Sequence, residues 1–308
     1  MKIIDVSAAQ YKEHFSKPLH VFNSVSFSEL NKDKCDGLHY LLFEDTKIIF
    51  GLVLGEKGNS LCSPFSAPFG GFETNKARKL EYMEDALALL KEYGTKKNRK
   101  IFITLPPSVY DQSQVSKWFN VFSMSGAQLV YTELDYYFDL SHFSEYENHI
   151  GKNARKNLHN ALNNNLSFIK LNSNDDKDVS RAYDVIRRNR EEHDYLLRMS
   201  LQNVLDTVKI VDADFFIVTN ENIDIAAAQV FRVSEDIAQV VYWGDLKDYA
   251  GLRTMNYLSY MVFKYYHDMK FRILDVGPST VEGVPNYGLC DFKENIGCSI
   301  CPRFSFEI

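Results

Sequence analysis

Short apolar runs separated by turn residues predict strands at the start of the chain. Residues 38–44 (LHYLLFE) and 47–54 (KIIFGLVL) flank two polar residues, a pattern that predicts a β-hairpin. A run at 59–63 allows a third strand. The next segment, SPFSAPFGGFE at 63–73, contains two prolines and two glycines. It therefore predicts an irregular loop rather than a regular element.

The hydrophobic period then changes to that of a helix. Apolar residues recur at steps of three and four positions at Leu80, Met83, Leu87 and Leu90. This spacing predicts a helix over 77–93 that ends at Gly94. The remaining elements predicted for this half are a strand at 100–105, a helix at 112–123 and a strand at 128–138.

The second half repeats this order of elements. Its predicted elements are a helix at 178–192, strands at 214–219, 225–233 and 236–244, a helix at 252–269, a strand at 271–276, a helix at 288–296 and a strand at 302–307. Corresponding elements of the two halves are about 175 positions apart. We therefore predict an α/β (α+β) fold with two similar domains, 1–140 and 141–308, each a mixed, mostly antiparallel sheet flanked by helices.

Composition narrows the function classes. The 308 residues are 45% hydrophobic and 25% charged, with a net charge of −6, so the basic footprint of a dedicated duplex DNA binder is absent. No run of about 18 apolar residues predicts a membrane span, and the first residues lack the apolar core of a secretory signal. Five cysteines do not suggest a disulfide scaffold. These features favour a cytoplasmic protein.

Conventional catalytic motifs do not occur in this sequence. It has no G-x-G-x-x-G, P-loop, H-E-x-x-H or G-x-S-x-G pattern. Cys298 and Cys301 form a C-x-x-C with Cys290 nearby, but no histidine adjoins them. A structural zinc needs four ligands, so we predict that these are ordinary buried cysteines. We expect no metal and no tightly bound cofactor.

Two polar segments could face an anionic ligand. Residues 151–168 carry Lys152, Arg155 and Lys156 on a predicted helix, which is either a solvated linker or an anion-facing helix between the domains. The connection DLKDYAGLRT joins strand 236–244 to a helix whose first N–H groups have no internal partners. That connection is either a simple turn or a phosphate site.

The second half resembles the FemAB/FemX-like acyltransferases of the GNAT (Gcn5-related N-acetyltransferase) superfamily. The resemblance covers about 150–308 well and 1–140 by element order only. The segments that carry it are Tyr242-Trp243-Gly244, Asp275-Val276-Gly277, the element Phe292-Lys293-Glu294-Asn295-Ile296-Gly297, HDYLLRMS at 193–200 and the basic segment NARKNLHNALNNNLSF. A family of two GNAT-like domains also agrees with the repeat.

The resemblance implies a donor site in the C-terminal half and a reactive lysine. The expected donor-binding residues are Tyr242, Trp243, Gly244, Gly251, Leu252, Arg253 and Asn256. In the family the lysine of the Phe-Lys-x-x-Φ-Gly element lies near the reacting carbonyl, so Lys293 is the expected oxyanion partner. It is alternatively a surface lysine.

Acceptor residues are expected from three other segments. By the period-two rule Tyr131, Glu133, Asp135 and Tyr137 share one face of strand 128–138. Glu133 and Asp135 could remove the amine proton and Tyr137 could contact the acceptor, or this face is simply solvated. Arg198 could bind an anionic acceptor or pair with Glu191 or Asp194. Phe69 and the other loop phenylalanines pack against the second domain or line an acceptor pocket.

The sequence therefore predicts an N-acyltransferase with acyl-CoA (acetyl-CoA) as co-substrate and an amine acceptor bound between the domains. The acceptor is a small molecule or a cell-envelope precursor. The phosphate turn of the superfamily is degenerate here, at 247–252, which leaves the donor open. The absence of the helical insertion that some members use for tRNA, together with the acidic pI, favours acyl-CoA. An aminoacyl-tRNA-dependent transferase acting on a peptidoglycan precursor and a non-catalytic binding module are the alternatives.

Overall fold

The computed structural model describes all 308 residues, which form two compact units. The first unit contains Met1–Leu134, Thr280–Val284 and Cys301–Ile308, and the second contains Asp135–Ser279 and Pro285–Ile300. Two short C-terminal segments thus belong with the N-terminal part of the chain. The predicted domain limits, 1–140 and 141–308, stay a prediction.

The regular elements follow the predicted order closely. In the first part of the chain they are β1 (Lys2–Val6), α1 (Ala8–His14), α2 (Val25–Leu30), β2 (Gly37–Glu44), β3 (Ile48–Lys57), β4 (Ser60–Ser63), α3 (Leu80–Lys97), β5 (Lys100–Thr104), α4 (Gln112–Met124) and β6 (Gln128–Asp139). The elements that follow are α5 (Tyr146–His149), α6 (Lys152–Leu162), β7 (Leu166–Leu171), α7 (Asp176–Glu192), α8 (Leu201–Thr207), β8 (Ala213–Asn220), β9 (Ile223–Arg232), β10 (Ile237–Asp245), α9 (Thr254–Asp268), β11 (Ile273–Pro278), β12 (Thr280–Val281), β13 (Val284–Pro285), α10 (Tyr287–Asn295) and β14 (Ser299–Glu307). None of the helices combines the length and the apolar character that a membrane crossing requires.

Each unit contains mixed β-structure with the same local pairing pattern. In the first unit the strand order is β1-β2-β3-β4-β5-β14, and in the second it is β6-β11-β10-β9-β8-β7. Strand β6 belongs to the second unit only from Asp135 onward. In the run β2-β3-β4-β5, the pairs β2–β3 and β3–β4 are antiparallel and the pair β4–β5 is parallel. The run β8-β9-β10-β11 pairs in the same sequence of directions. The predicted fold class, a mixed and mostly antiparallel sheet flanked by helices, is confirmed.

One helix boundary differs from the prediction. Helix α3 continues past Gly94 to Lys97 and ends at Asn98, which adopts the left-handed conformation at φ 52°. A Cβ on Gly94 would lie 2.9 Å from Cδ1 of Ile101. Gly94 therefore permits close packing of the helix on β5 and does not terminate the helix.

The loop phenylalanines are buried inside the first unit. Phe72 stacks on Trp118 with ring centroids 4.1 Å apart, and Phe65 packs on Gly55, where a Cβ would meet its side chain. Phe69 is completely buried against the rings of His20, Phe22 and Tyr110. In this structure the loop is thus part of the interior of the first unit. A contact of Phe69 with a substrate stays a prediction.

Candidate functional site

Strands β10 and β11 of the second unit pair along only part of their length. Ile237, Ala238 and Gln239 pair in parallel with 273–275, whereas the rest of β10, through Asp245, pairs with β9 alone. The register of β10 against β9 also shifts between Val240 and Tyr242, which marks a β-bulge. The edge of β10 that faces β11 therefore presents backbone groups without a strand partner from Val240 onward.

Lys293 lies beside the end of β11. Its side chain projects from α10, is only 2% exposed, and donates hydrogen bonds from Nζ to the carbonyl oxygens of Gly277 at 2.8 Å and Pro278 at 3.0 Å. The ammonium also lies 5.3 Å from the centroid of the Tyr136 ring. Burial lowers the pKa of Lys293 from 10.5 to about 8. The alternative interpretation, a surface lysine, is therefore wrong.

Two carboxylates support the charge of this lysine. Asp135 of β6 and Asp275 of β11 are both buried, and their charges oppose the fall in the pKa of Lys293. Asp275 is held by the Gln239 amide and by the backbone N–H of Gly277, each at 2.7 Å. Gly277 has φ 73°, a conformation that favours glycine, so the backbone turns at this point. Lys293 and Asp135, predicted from distant segments, are thus brought together.

Ser279 adds a polar group that the sequence reasoning missed. Its backbone oxygen accepts the N–H of Asn286 at 2.8 Å, which fixes the residue directly after Pro278. The Ser279 hydroxyl is buried and has no hydrogen-bond partner. Unsatisfied buried hydroxyls are rare and call for an explanation. Its position after the Asp-Φ-Gly strand end is the one sequence signal that could have identified it.

The end of β10 is fixed by helix α7. The Asn189 amide donates to the carbonyl oxygen of Asp245 at 2.7 Å, and a Cβ on Gly244 would lie only 2.3 Å from Asn189 side-chain atoms. Any larger residue at position 244 would therefore displace the Asn189 side chain from its hydrogen bond. Trp243 is buried and meets Phe292 of α10 edge-to-face, with ring centroids 6.3 Å apart.

The predicted phosphate loop is more ordered than a simple connection. Residues Lys247–Leu252 form a 3-10 helix, and Arg253 at φ 60° leads directly into α9. The Thr254 hydroxyl closes this turn by donating to the carbonyl oxygen of Tyr249 at 3.1 Å. A Cβ on Gly251 would meet nothing within 4 Å, so the approach to the loop is open. Ligand binding by Gly251, Leu252, Arg253 and Asn256 stays a prediction.

Glu133 lies in the first unit with partners of its own. It accepts hydrogen bonds from the Thr280 hydroxyl and from the backbone N–H groups of Glu282, at 2.8 Å, and Gly283. It therefore holds the short hairpin of β12 and β13. The interpretation of a solvated strand face is wrong, because Glu133 and Asp135 are both buried. Tyr137 is half-buried opposite Asp275 in the β6–β11 register. Roles for Glu133 in proton removal and for Tyr137 in acceptor binding stay predictions.

Arg198 is exposed and makes neither of the two predicted ion pairs. Glu191 binds Arg187 at 2.7 Å, and Asp194 forms no salt bridge. Ser200 caps α8, with its side chain accepting the N–H of Asn203. No three His, Cys, Asp or Glu side chains are grouped so that they could hold a metal ion.

Comparison with known proteins identifies the fold. No protein-family model and no curated protein matches this sequence. Among solved structures, FemX aligns with 100% of this chain and 97% of its own, with a TM-score of 0.72 and 11% identity. L-PGS from Bacillus licheniformis aligns with 98% of this chain and 92% of its own, with a TM-score of 0.62 and 10% identity.

A third solved structure has two domains of the predicted type. It is a tandem GNAT protein from the clavulanic acid biosynthesis pathway. It aligns with 100% of this chain and 98% of its own, with a TM-score of 0.57 and 11% identity. At these identities the likeness concerns the fold. The chain therefore has the FemX-like GNAT fold that the sequence resemblance predicted.

Proposed function

We propose that the chain is an N-acyltransferase that moves an acyl group from an acyl-CoA-type donor to an amine acceptor. The observation that carries the proposal is the buried Lys293 at the end of β11, beside the edge of β10 that has no strand partner. A donor groove and a cation next to it are two of the elements that acyl transfer requires.

The donor would bind along the open edge of β10. The pantetheine arm of coenzyme A is extended and contains amide groups, so it can add to a strand edge as a peptide does in β-augmentation. Tyr242, Trp243 and Gly244 form this part of the strand. The phosphates would then reach Gly251, Leu252, Arg253 and Asn256 at the start of α9, where a helix N-terminus favours anions.

Lys293 and its neighbours suit the transfer step. The acceptor nitrogen attacks the thioester carbonyl, the C–N bond forms, and the carbonyl electron pair moves to oxygen. Two of the three N–H groups of Lys293 bind backbone carbonyls, which leaves one for this oxygen. The unpartnered Ser279 hydroxyl is a second donor in the same region. The C–S bond then breaks, and the proton of the attacking nitrogen passes through Asp135 to the leaving thiolate.

A Fem-type transfer from aminoacyl-tRNA is the second candidate. The full-length fold match with FemX favours it. The chemistry differs only in the leaving group, because the carbonyl belongs to an ester and the leaving atom is oxygen. The same lysine and the same strand edge would serve both donors.

Calorimetric titration of the protein with coenzyme A and with charged tRNA separates these candidates. Binding of coenzyme A that is weakened by Arg253→Met supports the acyl-CoA proposal. Arg188→Met is the matched control, since Arg188 is also an exposed arginine of the second unit without an ion pair. Binding of charged tRNA alone would favour the Fem-type reaction. Binding of neither would contradict both.

A further inference from the structure

Arg190 is a partly buried cation without a counter-ion. It lies in the last turn of α7, and its guanidinium carbon is 5.4 Å from the ring centroid of Tyr242 and 5.6 Å from that of Tyr195. Its Nε is buried and has no hydrogen-bond partner. Burial lowers the pKa of Arg190, because no carboxylate offsets the loss of water. A charge held in this way is unfavourable unless an anion completes the site.

Two other arginines on the same helix are neutralised. Arg181 forms a two-pronged salt bridge with Asp224, with both N···O distances at 2.6 Å, and Arg187 pairs with Glu191 at 2.7 Å. Arg188 of the same helix also has no ion pair, but it is exposed to water, so Arg190 is the one arginine of α7 that is partly buried without a partner. Asn189 ties this turn of α7 to the end of β10, so the backbone that carries Arg190 is held beside the strand.

A second positive group and two amides converge on the same tyrosine. The charges of Arg190 and Arg198 both act on Tyr242 and favour its ionised form, although burial dominates and raises the pKa of Tyr242. The backbone N–H groups of Arg198 and Met199 approach the Tyr242 hydroxyl. These neighbours are donors and cations, which suits an anion.

We propose that Arg190, placed between Tyr195 and Tyr242 and assisted by Arg198, binds a carboxylate or phosphate group of the acceptor. This inference rests on the proposed acyl transfer, and it narrows the acceptor to an amine that also carries an anionic group. A planar guanidinium stacked on aromatic rings presents its N–H pairs in a fixed direction, which favours bidentate binding of such a group.

The test measures binding of inorganic phosphate and of acetate, each at constant ionic strength, by the rise in melting temperature. We expect one of the two anions to give a saturable rise in the wild type and in Arg188→Met. In Arg190→Met its dissociation constant should increase about 10- to 100-fold, the usual range for losing a charge-assisted hydrogen bond. Saturation by phosphate identifies a phosphate group on the acceptor, and saturation by acetate identifies a carboxylate.

Three outcomes would overturn the inference: no saturable rise with either anion, equal binding by the wild type and Arg190→Met, or equal weakening by Arg188→Met. Should Arg190→Met fail to fold, Arg190→Lys decides, because it retains the charge without the planar stack and should bind more weakly than the wild type. Anion binding without any binding of coenzyme A or charged tRNA would contradict the proposed function and leave this site standing.

Discussion

Replacement of Lys293 tests the proposed mechanism most directly. In Lys293→Met a side chain of similar length stays in the buried position without the ammonium. If Lys293 stabilises the developing oxyanion, turnover should fall while the affinity for coenzyme A remains nearly unchanged. The loss expected for one such donor is on the order of 100- to 1000-fold in kcat. Lys293→Arg should retain only part of the wild-type activity, because the planar guanidinium cannot reproduce the hydrogen bonds to Gly277 and Pro278.

The lowered pKa gives the same prediction a pH signature. An ammonium with a pKa of about 8 loses its proton as the pH rises through that value. The wild-type rate should therefore decline above pH 8, although a free amine acceptor becomes more nucleophilic there. In Lys293→Arg this alkaline decline should be absent, since a guanidinium stays charged throughout the range.

The assay is thiol release from acetyl-CoA with an amine acceptor. It is followed from roughly pH 6.5 to 10, a range that extends to both sides of the lowered pKa of Lys293. Calorimetry with coenzyme A provides the affinity, and the melting temperature of each variant shows that it is folded. Equal turnover of the wild type and Lys293→Met would refute the reasoning. An alkaline decline that persists unchanged in Lys293→Arg would remove Lys293 as its origin.

Three further results are expected. The pKa of Lys293 is lower in the folded than in the unfolded chain, so the unfolded chain binds more protons between pH 8 and 10.5. The free energy of unfolding should therefore rise with pH across that window by up to about 3 kcal/mol. Urea denaturation should show this rise in the wild type and not in Lys293→Met. Gly244→Ala should destabilise the protein by roughly 1–3 kcal/mol because its Cβ displaces Asn189, whereas Gly251→Ala, which meets open space, should stay within about 0.5 kcal/mol; the same denaturation series checks both. Coenzyme A should slow amide hydrogen exchange in the second half of β10 and leave β4 unchanged, and protection of β4 instead would place the donor on the first unit.

Local patterns were sufficient to predict most elements of the fold. Runs of apolar residues located the antiparallel strands because each is buried on at least one face and flanked by turn residues. Strand β7 was missed because its residues, LSFIKL, follow a run of asparagines, and only Leu171 of the six is buried at this edge of the sheet.

The site was only partly predictable because its contacts are long-range. The family-like element located Lys293, and the alternation on β6 located Asp135. The same alternation gave no means of separating Asp135 from Glu133, whose partners lie about 150 positions later. Arg190, Asn189 and Ser279 carry no motif. Arg190 and Ser279 stand out because buried polar atoms of their side chains lack hydrogen-bond partners, and Asn189 because it binds the end of β10. Only the folded structure reveals these features.

The comparison of the two units gives a physical reason for proposing a donor site in only one of them. In the first unit β4 pairs with β5 along all four of its residues and then ends at the loop that begins with Pro64. That loop covers the continuation of β5, since the Gly70 N–H donates to the Thr104 carbonyl oxygen at 2.9 Å and the Gly71 N–H binds the Ser63 hydroxyl at 3.0 Å. In the second unit β10 extends well beyond its last pair with β11. In the first unit the chain itself therefore covers the strand edge at this point of the repeated pattern, whereas in the second unit the corresponding edge, that of β10, is open. An open strand edge is costly unless another chain or ligand can pair with it, and this unit also contains Lys293.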